Sequence, residues 1–174
     1  MALDLAARVY EAAHLEGEFL LRSGVISSEY FDKYRFEADP ELLRAIAAEM
    51  APLVPEATEL LGGLELGGIP LATMVSQITG HRARFVRKEA KTYGTCQLAE
   101  GGDLEGFRIC IIEDVITSGG AVIDATYALR DAGATVDTVV CVIDRQSGGR
   151  EKLAELGLEM RALFTKADLE AAAG

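Results

Sequence analysis

A chain of 174 residues, 49% of them hydrophobic and with a formal net charge of -11, is long enough for one domain with a sizeable core and too apolar to be disordered. The acidic balance argues against a surface that binds nucleic acid or an anionic membrane, so an anionic ligand must be held by a local cluster of positive charge. No apolar run approaches the ~18–20 residues that span a bilayer. The start Met1-Ala2-Leu3-Asp4 lacks the basic residues of a signal peptide, and the cysteines, Cys96, Cys110 and Cys141, form no CxxC pair. A reduced, cytoplasmic protein without disulfides or a zinc site is expected.

Residues 3–13 carry apolar groups at helical spacing, with Asp4 favouring the helix start. His14 follows and reads as a surface or core histidine. The stretch 17–33 resembles two short strands around the Ser23-Gly24 turn. Pro40-Glu41 opens a helix with Leu42, Leu43, Ile46, Ala47 and Met50 on one face. Residues 59–63 form a short strand that enters a glycine-rich loop, 62–68. A helix follows over 69–78, with Pro70 in its first turn and Gly80 beyond its end. A glycine loop at a helix start is the size and shape to hold a phosphate; a tight turn packed on the sheet is the plainer alternative.

Residues 83–87 read as a strand. The fifteen-odd residues of 88–102 lack helical periodicity, and loops that long in a compact domain are often functional lids. This one opens on Arg87, Lys88 and Lys91, a positive cluster on an acidic chain.

The most informative stretch is 108–121. Ile109, Cys110, Ile111 and Ile112 are four apolar residues in a row, as in a parallel strand covered on both faces. The strand is expected to end in two adjacent acids, Glu113 and Asp114. Thr117, Ser118, Gly119 and Gly120 then lead into an apolar-periodic helix over 121–132 closed by Gly133. Small residues there let backbone N–H groups converge on an anion at the positive end of the helix. The acids lie where α/β sheets bind ligands, within reach of the hydroxyls of a sugar attached to that anion. Beyond it, 135–144 reads as a strand ending in Asp144-Arg145, residues 150–156 as a helix stopped by Gly157, 158–164 as a last strand, and 165–173 as a terminal helix capped by Thr165. Strands alternate with helices, which predicts an α/β fold with a mostly parallel central sheet flanked by helices.

The stretch 108–121 resembles the signature of the type I phosphoribosyltransferases. Further segments narrow the likeness: Phe19-Leu20-Leu21-Arg22-Ser23-Gly24 with Ser27, Tyr30 and Phe31; the Gly67-Gly68-Ile69-Pro70-Leu71-Ala72 run; Val86-Arg87-Lys88-Glu89-Ala90-Lys91; and Val142-Ile143-Asp144-Arg145 with Gly148-Gly149. In this order they resemble orotate phosphoribosyltransferase over about residues 15–165. The resemblance implies a single domain, 1–174, whose first 35 residues include a small hood over the sheet.

It also implies an enzyme that joins orotate to phosphoribosyl pyrophosphate (PRPP), releasing orotidine 5-monophosphate and pyrophosphate in pyrimidine synthesis. By the same resemblance Glu113 and Asp114 hold the ribose hydroxyls, and Thr117, Ser118, Gly119, Gly120 and Ala121 wrap the 5-phosphate. Arg87, Lys88 and the catalytic Lys91 neutralise pyrophosphate, joined by Arg22, and residues 62–68 form the pyrophosphate loop. Arg145 pairs with the orotate carboxylate, and Tyr30 and Phe31 wall the base. Magnesium arrives on PRPP, with Glu113 and Asp114 as possible additional ligands and no metal site of the protein's own. A homodimer that shares the 87–91 loop between subunits is implied too. The chain departs from the family pattern at Tyr93, where a histidine is usual; at Gly67, where some members carry lysine; and at Glu113, where aspartate is common. A purine-type phosphoribosyltransferase, or a PRPP-sensing regulator on the same fold, are the alternatives.

Overall fold

The computed structural model describes residues 2–20, 24–88 and 98–174. The chain begins with helix α1 (Ala2–Ala13) and a two-stranded antiparallel hood, β1 (His14–Leu20) and β2 (Ile26–Phe31). Two helices follow, α2 (Tyr34–Ala38) and α3 (Pro40–Met50). Asp39 between them accepts the backbone N–H of Glu41 and Leu42 at 2.9 and 3.0 Å, and Pro40 takes the first helical position, where a missing N–H costs nothing. Helix α2 is absent from the sequence-based expectation. Five residues are too few to display a helical period; Phe36, fully buried, anchors it.

The sheet is built from β3 (Leu60–Leu64), β4 (Arg82–Val86), β5 (Ala99–Glu100), β6 (Arg108–Ile116), β7 (Thr135–Asp144) and β8 (Glu159–Thr165), in the order β5-β4-β3-β6-β7-β8. All neighbours are parallel except the edge pair β4–β5. Strand β5 lies inside the stretch expected to be an unbroken loop; with two residues it is too short to announce itself. Helices α4 (Gly68–Thr79), α5 (Gly120–Asp131), α6 (Gly149–Glu155) and α7 (Lys166–Ala173) complete the chain. Thr165 and Asp168 form a reciprocal capping box at the start of α7.

Alternation along the central strand explains the layers. Cys110 and Ile112 point into a core shared with α1, α3, α4 and α7, while Ile109 and Ile111 point into a second core under α5 and α6. Cys110 and Cys141 are free and buried, and burial pushes the Cys110 thiol up to about 12, so it stays protonated. Among the described residues no helix is long and apolar enough to cross a membrane.

Two features of the sheet place the site. The chain winds one way from β3 to β4 and the other way from β6 to β8, so the order reverses between β3 and β6, and the crevice at their C-terminal ends is the expected ligand position. Strand β6 also runs on to Ile116, so Glu113 and Asp114 lie within it rather than at its end. The ladder with β7 continues past them, pairing Glu113 with Cys141 and Val115 with Ile143, which embeds both acids in the sheet floor.

Candidate active site

The loop after β3 and the loop after β6 face each other across a cleft of about 240 Å³. Glu65 and Leu66 line one side, Thr117 to Val122 the other, and Glu113 the floor, with Lys33, Tyr34 and Lys88 at the margins. The start of α5 is uncapped by any side chain: its N-cap is Gly119, at φ +78°, and the first described carbonyl contact is Ile123 N–H to Gly119 O at 2.9 Å. Those free N–H groups and the helix dipole suit an anion. Gly120 sharpens the point. A methyl group there would meet nothing closer than Ser118 Oγ at 4.0 Å, so no protein atom requires a glycine. The open space in front of it is room for a ligand.

Glu113 on the floor and Asp114 behind it perturb each other. Glu113 is 8% exposed and Asp114 fully buried. Burial, and then the hydrogen bond and charge of Asp114, hold the Glu113 carboxyl well above the ordinary range. Burial works on Asp114 as well, but the hydrogen bonds from Glu113 and Lys33 outweigh it and leave Asp114 below the ordinary range. The two acids thus differ in proton affinity: Glu113 holds its proton more readily, and Asp114 is the more acidic of the pair. Asp114 also accepts the N–H of Val115 through Oδ1, while its Oδ2 faces Lys33 Nζ at 2.6 Å. Burial pulls the Lys33 ammonium down, yet Asp114 beside it, with Glu113 behind, keeps it above its usual value.

A third acid completes this cluster. Glu37, on α2, is 7% exposed and its Oε1 is buried without a donor. Burial and then the Asp114 charge push it up to about 8. A proton on Glu37 would supply the missing hydrogen bond to Asp114. The sign of the stability effect follows. Between the ordinary glutamate value and about 8 the folded state holds a proton that the unfolded chain has lost, so stability falls as pH rises through that window. Glu37→Gln is expected to remove this dependence: its stability relative to the parent should grow between pH 6 and 8.5, by up to ~1.4 kcal/mol per pH unit. Urea unfolding at several pH values reads this directly; a pH-independent difference would contradict it.

Gly67 is not simply a position that lacks a lysine. A methyl group there would come within 1.8 Å of Asp114 Oδ2 and 2.6 Å of Glu37 Oε1, so the two acids occupy the space a side chain would need.

The remaining expected residues fall into two further places. Arg87 sits in the linker after β4, ion-paired to Glu100 (Nε to Oε1, 3.2 Å), and Lys88 donates its backbone N–H to Glu65 Oε1 at 2.6 Å. Lys88 lines the cleft, and with Arg87, Glu65, Gly120 and Ala121 it also borders an adjoining cavity of about 430 Å³. Lys91, Arg22, Tyr93 and Cys96 lie outside the described residues. Tyr30, Phe31 and Arg145 do not line the first cleft; they meet in a second cavity of about 400 Å³ between the hood, the end of β7 and α7. There the Arg145 guanidinium lies 5.8 Å from the Phe31 ring centre, and Tyr30 tilts against Phe19 at 5.5 Å. His14, stacked on Tyr10 at 4.7 Å, and Lys166 also line it.

The two cavities are joined by backbone. Arg145 N–H donates to Ile116 O at 2.9 Å. Gly149 lies so close to the phosphate-sized loop that a methyl group would stand 2.5 Å from Thr117 O. Asp144, 3% exposed, holds the connecting turn: Oδ1 accepts the Gln146 N–H at 2.8 Å and Oδ2 meets Arg150 at 3.1 Å. Sequence reasoning missed Lys33, Glu37 and Glu65. Nothing in the spacing of the first two points toward acids on a distant strand, whereas Glu65, within the glycine loop, could have been read as facing whatever that loop holds.

No family model matches the chain. Individual relatives do. The orotate phosphoribosyltransferase of Nocardioides sp. is 61% identical over 174 residues, covering 99% of this chain and 97% of its own. The orotate phosphoribosyltransferase of Mycobacterium tuberculosis, solved with Fe(III) dicitrate, superposes with a TM-score of 0.88 at 32% identity, covering 97% of this chain and 98% of its own. The same enzyme solved with PRPP gives 0.83 at 30% identity, with 97% and 98% covered. A reversed-order parallel sheet with an acid pair and an uncapped helix start at its switch point, together with a near-full-length relative at 61% identity, establishes that this chain belongs to the orotate phosphoribosyltransferase family.

Proposed function

We propose that this protein transfers the phosphoribosyl group of PRPP to N1 of orotate, giving orotidine 5-monophosphate and pyrophosphate in pyrimidine nucleotide synthesis. The observation that carries the reading is the cleft itself: Glu113 at its floor, with Asp114 buried behind it, and an uncapped helix start with an unfilled glycine at its wall. In this reading the 5-phosphate sits against residues 117–121 and the ribose hydroxyls meet Glu113 and Asp114. Pyrophosphate lies toward the Glu65 loop, Arg87 and Lys88, with Lys91 and Arg22 reaching it from the stretches outside the described residues. Orotate enters the second cavity, where Phe31 and Tyr30 offer ring faces and Arg145 offers a planar fork to the carboxylate.

The C1–O bond to pyrophosphate breaks as the C1–N1 bond to orotate forms. Positive charge grows on the ribose ring and negative charge on the departing group. Asp114, the more acidic of the pair, puts a carboxylate beneath the ring, where it stabilises that growing charge. Lysines and arginines take up the charge on pyrophosphate. Carboxylate oxygens of the pair are hard donors suited to magnesium, yet among the described residues no group of three or more His, Cys, Asp or Glu could hold a metal ion alone. In this reading the ion comes on PRPP, in keeping with its habit of binding through phosphates with few protein ligands, and it would supply Lewis-acid stabilisation of the leaving group.

The protein is further proposed to be one domain, cytoplasmic, and a homodimer whose 87–91 loops complete each other's sites. A net charge of -11 weighs against a nucleic-acid-binding regulator. Purified protein with PRPP, magnesium and orotate should deplete orotate ultraviolet absorbance only when all three are present. Turnover of adenine, hypoxanthine or xanthine in place of orotate would discard the base assignment.

A further inference from the structure

Lys33 stands outside every role the resemblance supplies, yet its ammonium sits at the margin of the cleft against its buried acid. It lies at the junction of the hood and α2 and reaches Asp114 Oδ2 at 2.6 Å, in a cleft it shares with Glu113 and the 117–121 loop. Its side chain is one-third exposed, while the Asp114 side chain it meets has no exposure at all. Tyr34 flanks it, with the ammonium 5.3 Å from the ring centre. On the buried side Glu37 closes the cluster, and Gly67 leaves the backbone clear for it. A lysine so placed has one end against the acid assigned to the sugar and its open side toward the space assigned to a highly charged anion.

We propose that Lys33 is a PRPP-positioning residue, which orients the Asp114 carboxylate toward the ribose hydroxyls and adds a cation at the cleft that holds the substrate's phosphates. The proposal rests on the cleft being the PRPP site. Two physical effects point the same way. Without Lys33, a buried carboxylate loses its described counter-charge and repels an anionic ligand. With it, the ligand meets a charge-assisted donor at the rim of a partly desolvated cleft. The orotate cavity is lined by Phe31 and Arg145, and Lys33 does not line it.

The test is calorimetric binding of PRPP without magnesium, paired with steady-state kinetics. Lys33→Met is expected to weaken PRPP binding and raise its KM about tenfold or more, the scale of one charge-assisted hydrogen bond. The KM for orotate should stay within about twofold, since it depends on the other cavity. Lys33→Arg, which keeps the charge, should recover most of the loss. A purely structural lysine would instead lower the thermal midpoint and leave the PRPP affinity of the folded protein alone, and that result overturns the proposal. Should Lys33→Met not fold, Lys33→Gln, which can still donate to Asp114, carries the same expectation. Wild type and a Thr117→Ala/Ser118→Ala variant belong in the same titration. If wild type does not bind PRPP, or the loop variant binds as well as wild type, the cleft assignment itself fails. If both behave as expected and Lys33→Met binds as wild type does, the Lys33 proposal alone is wrong.

Discussion

Asp114→Asn should fold and yet lose about a hundredfold or more in kcat/KM for PRPP, the scale typical of removing one preorganised electrostatic contact from a transition state. Folding should survive because Asn keeps the shape and the acceptor that Asp114 offers to the Val115 N–H. Lys33, left without its partner, is one-third exposed and can turn toward water. Activity should not survive. Asp114 is the more acidic member of the acid pair, held below the ordinary range by Glu113 and Lys33 against its own burial. Neutralising it removes the carboxylate proposed to face a ring that becomes positive, while Glu113, whose carboxyl is held above the ordinary range, is the poorer substitute for it. Steady-state kinetics beside a urea unfolding curve separates the two effects. A variant with near-normal kcat/KM would show that the charge on Asp114 is not what the reaction uses.

The second large effect concerns stability. Gly68→Ala should destabilise the protein by at least about 2–3 kcal/mol, the upper range for forcing atoms into a packed core. An added methyl group would stand 2.3 Å from Ile112 O, a backbone atom of the central strand that cannot move aside without breaking the ladder. The first turn of α4 would have to lift from the sheet, taking Glu65, Leu66 and Gly67 with it. Gly120 provides the contrast. Its surroundings are open, and alanine is a better helix residue than glycine by about 1 kcal/mol, so Gly120→Ala should leave stability intact. Urea unfolding of both variants checks the pair; equal effects would mean that the close approach of α4 to β6 does not matter.

The 108–121 stretch was legible from the sequence because two independent signals coincide there. An apolar run marks a strand covered on both faces, and glycines with hydroxyls mark a helix start with nothing to cap it. The parallel sheet followed from alternation, and the Thr165 cap from a single hydroxyl before a polar helix. What was not legible depends on distance in three dimensions. The extension of β6 through its acids is set by pairing with β7, not by local composition. Helix α2 is too short to carry a period, and Lys33 before it and Glu37 within it acquire meaning only when the hood folds over the switch point. Gly67 read as a missing cation in sequence; in space, two carboxylates fill the room beside it.

The central claim is that substrate and base occupy two adjoining cavities, the phosphoribosyl donor against residues 117–121 and orotate against Phe31 and Arg145. The most direct measurement compares KM values for both substrates in two variants, Thr117→Ala/Ser118→Ala and Arg145→Ala. The loop variant should raise the KM for PRPP about tenfold or more with little change for orotate, and the arginine variant should do the reverse, each by the loss of one or two anion contacts. Equal effects on both substrates, or effects in the opposite assignment, would contradict the two-cavity account.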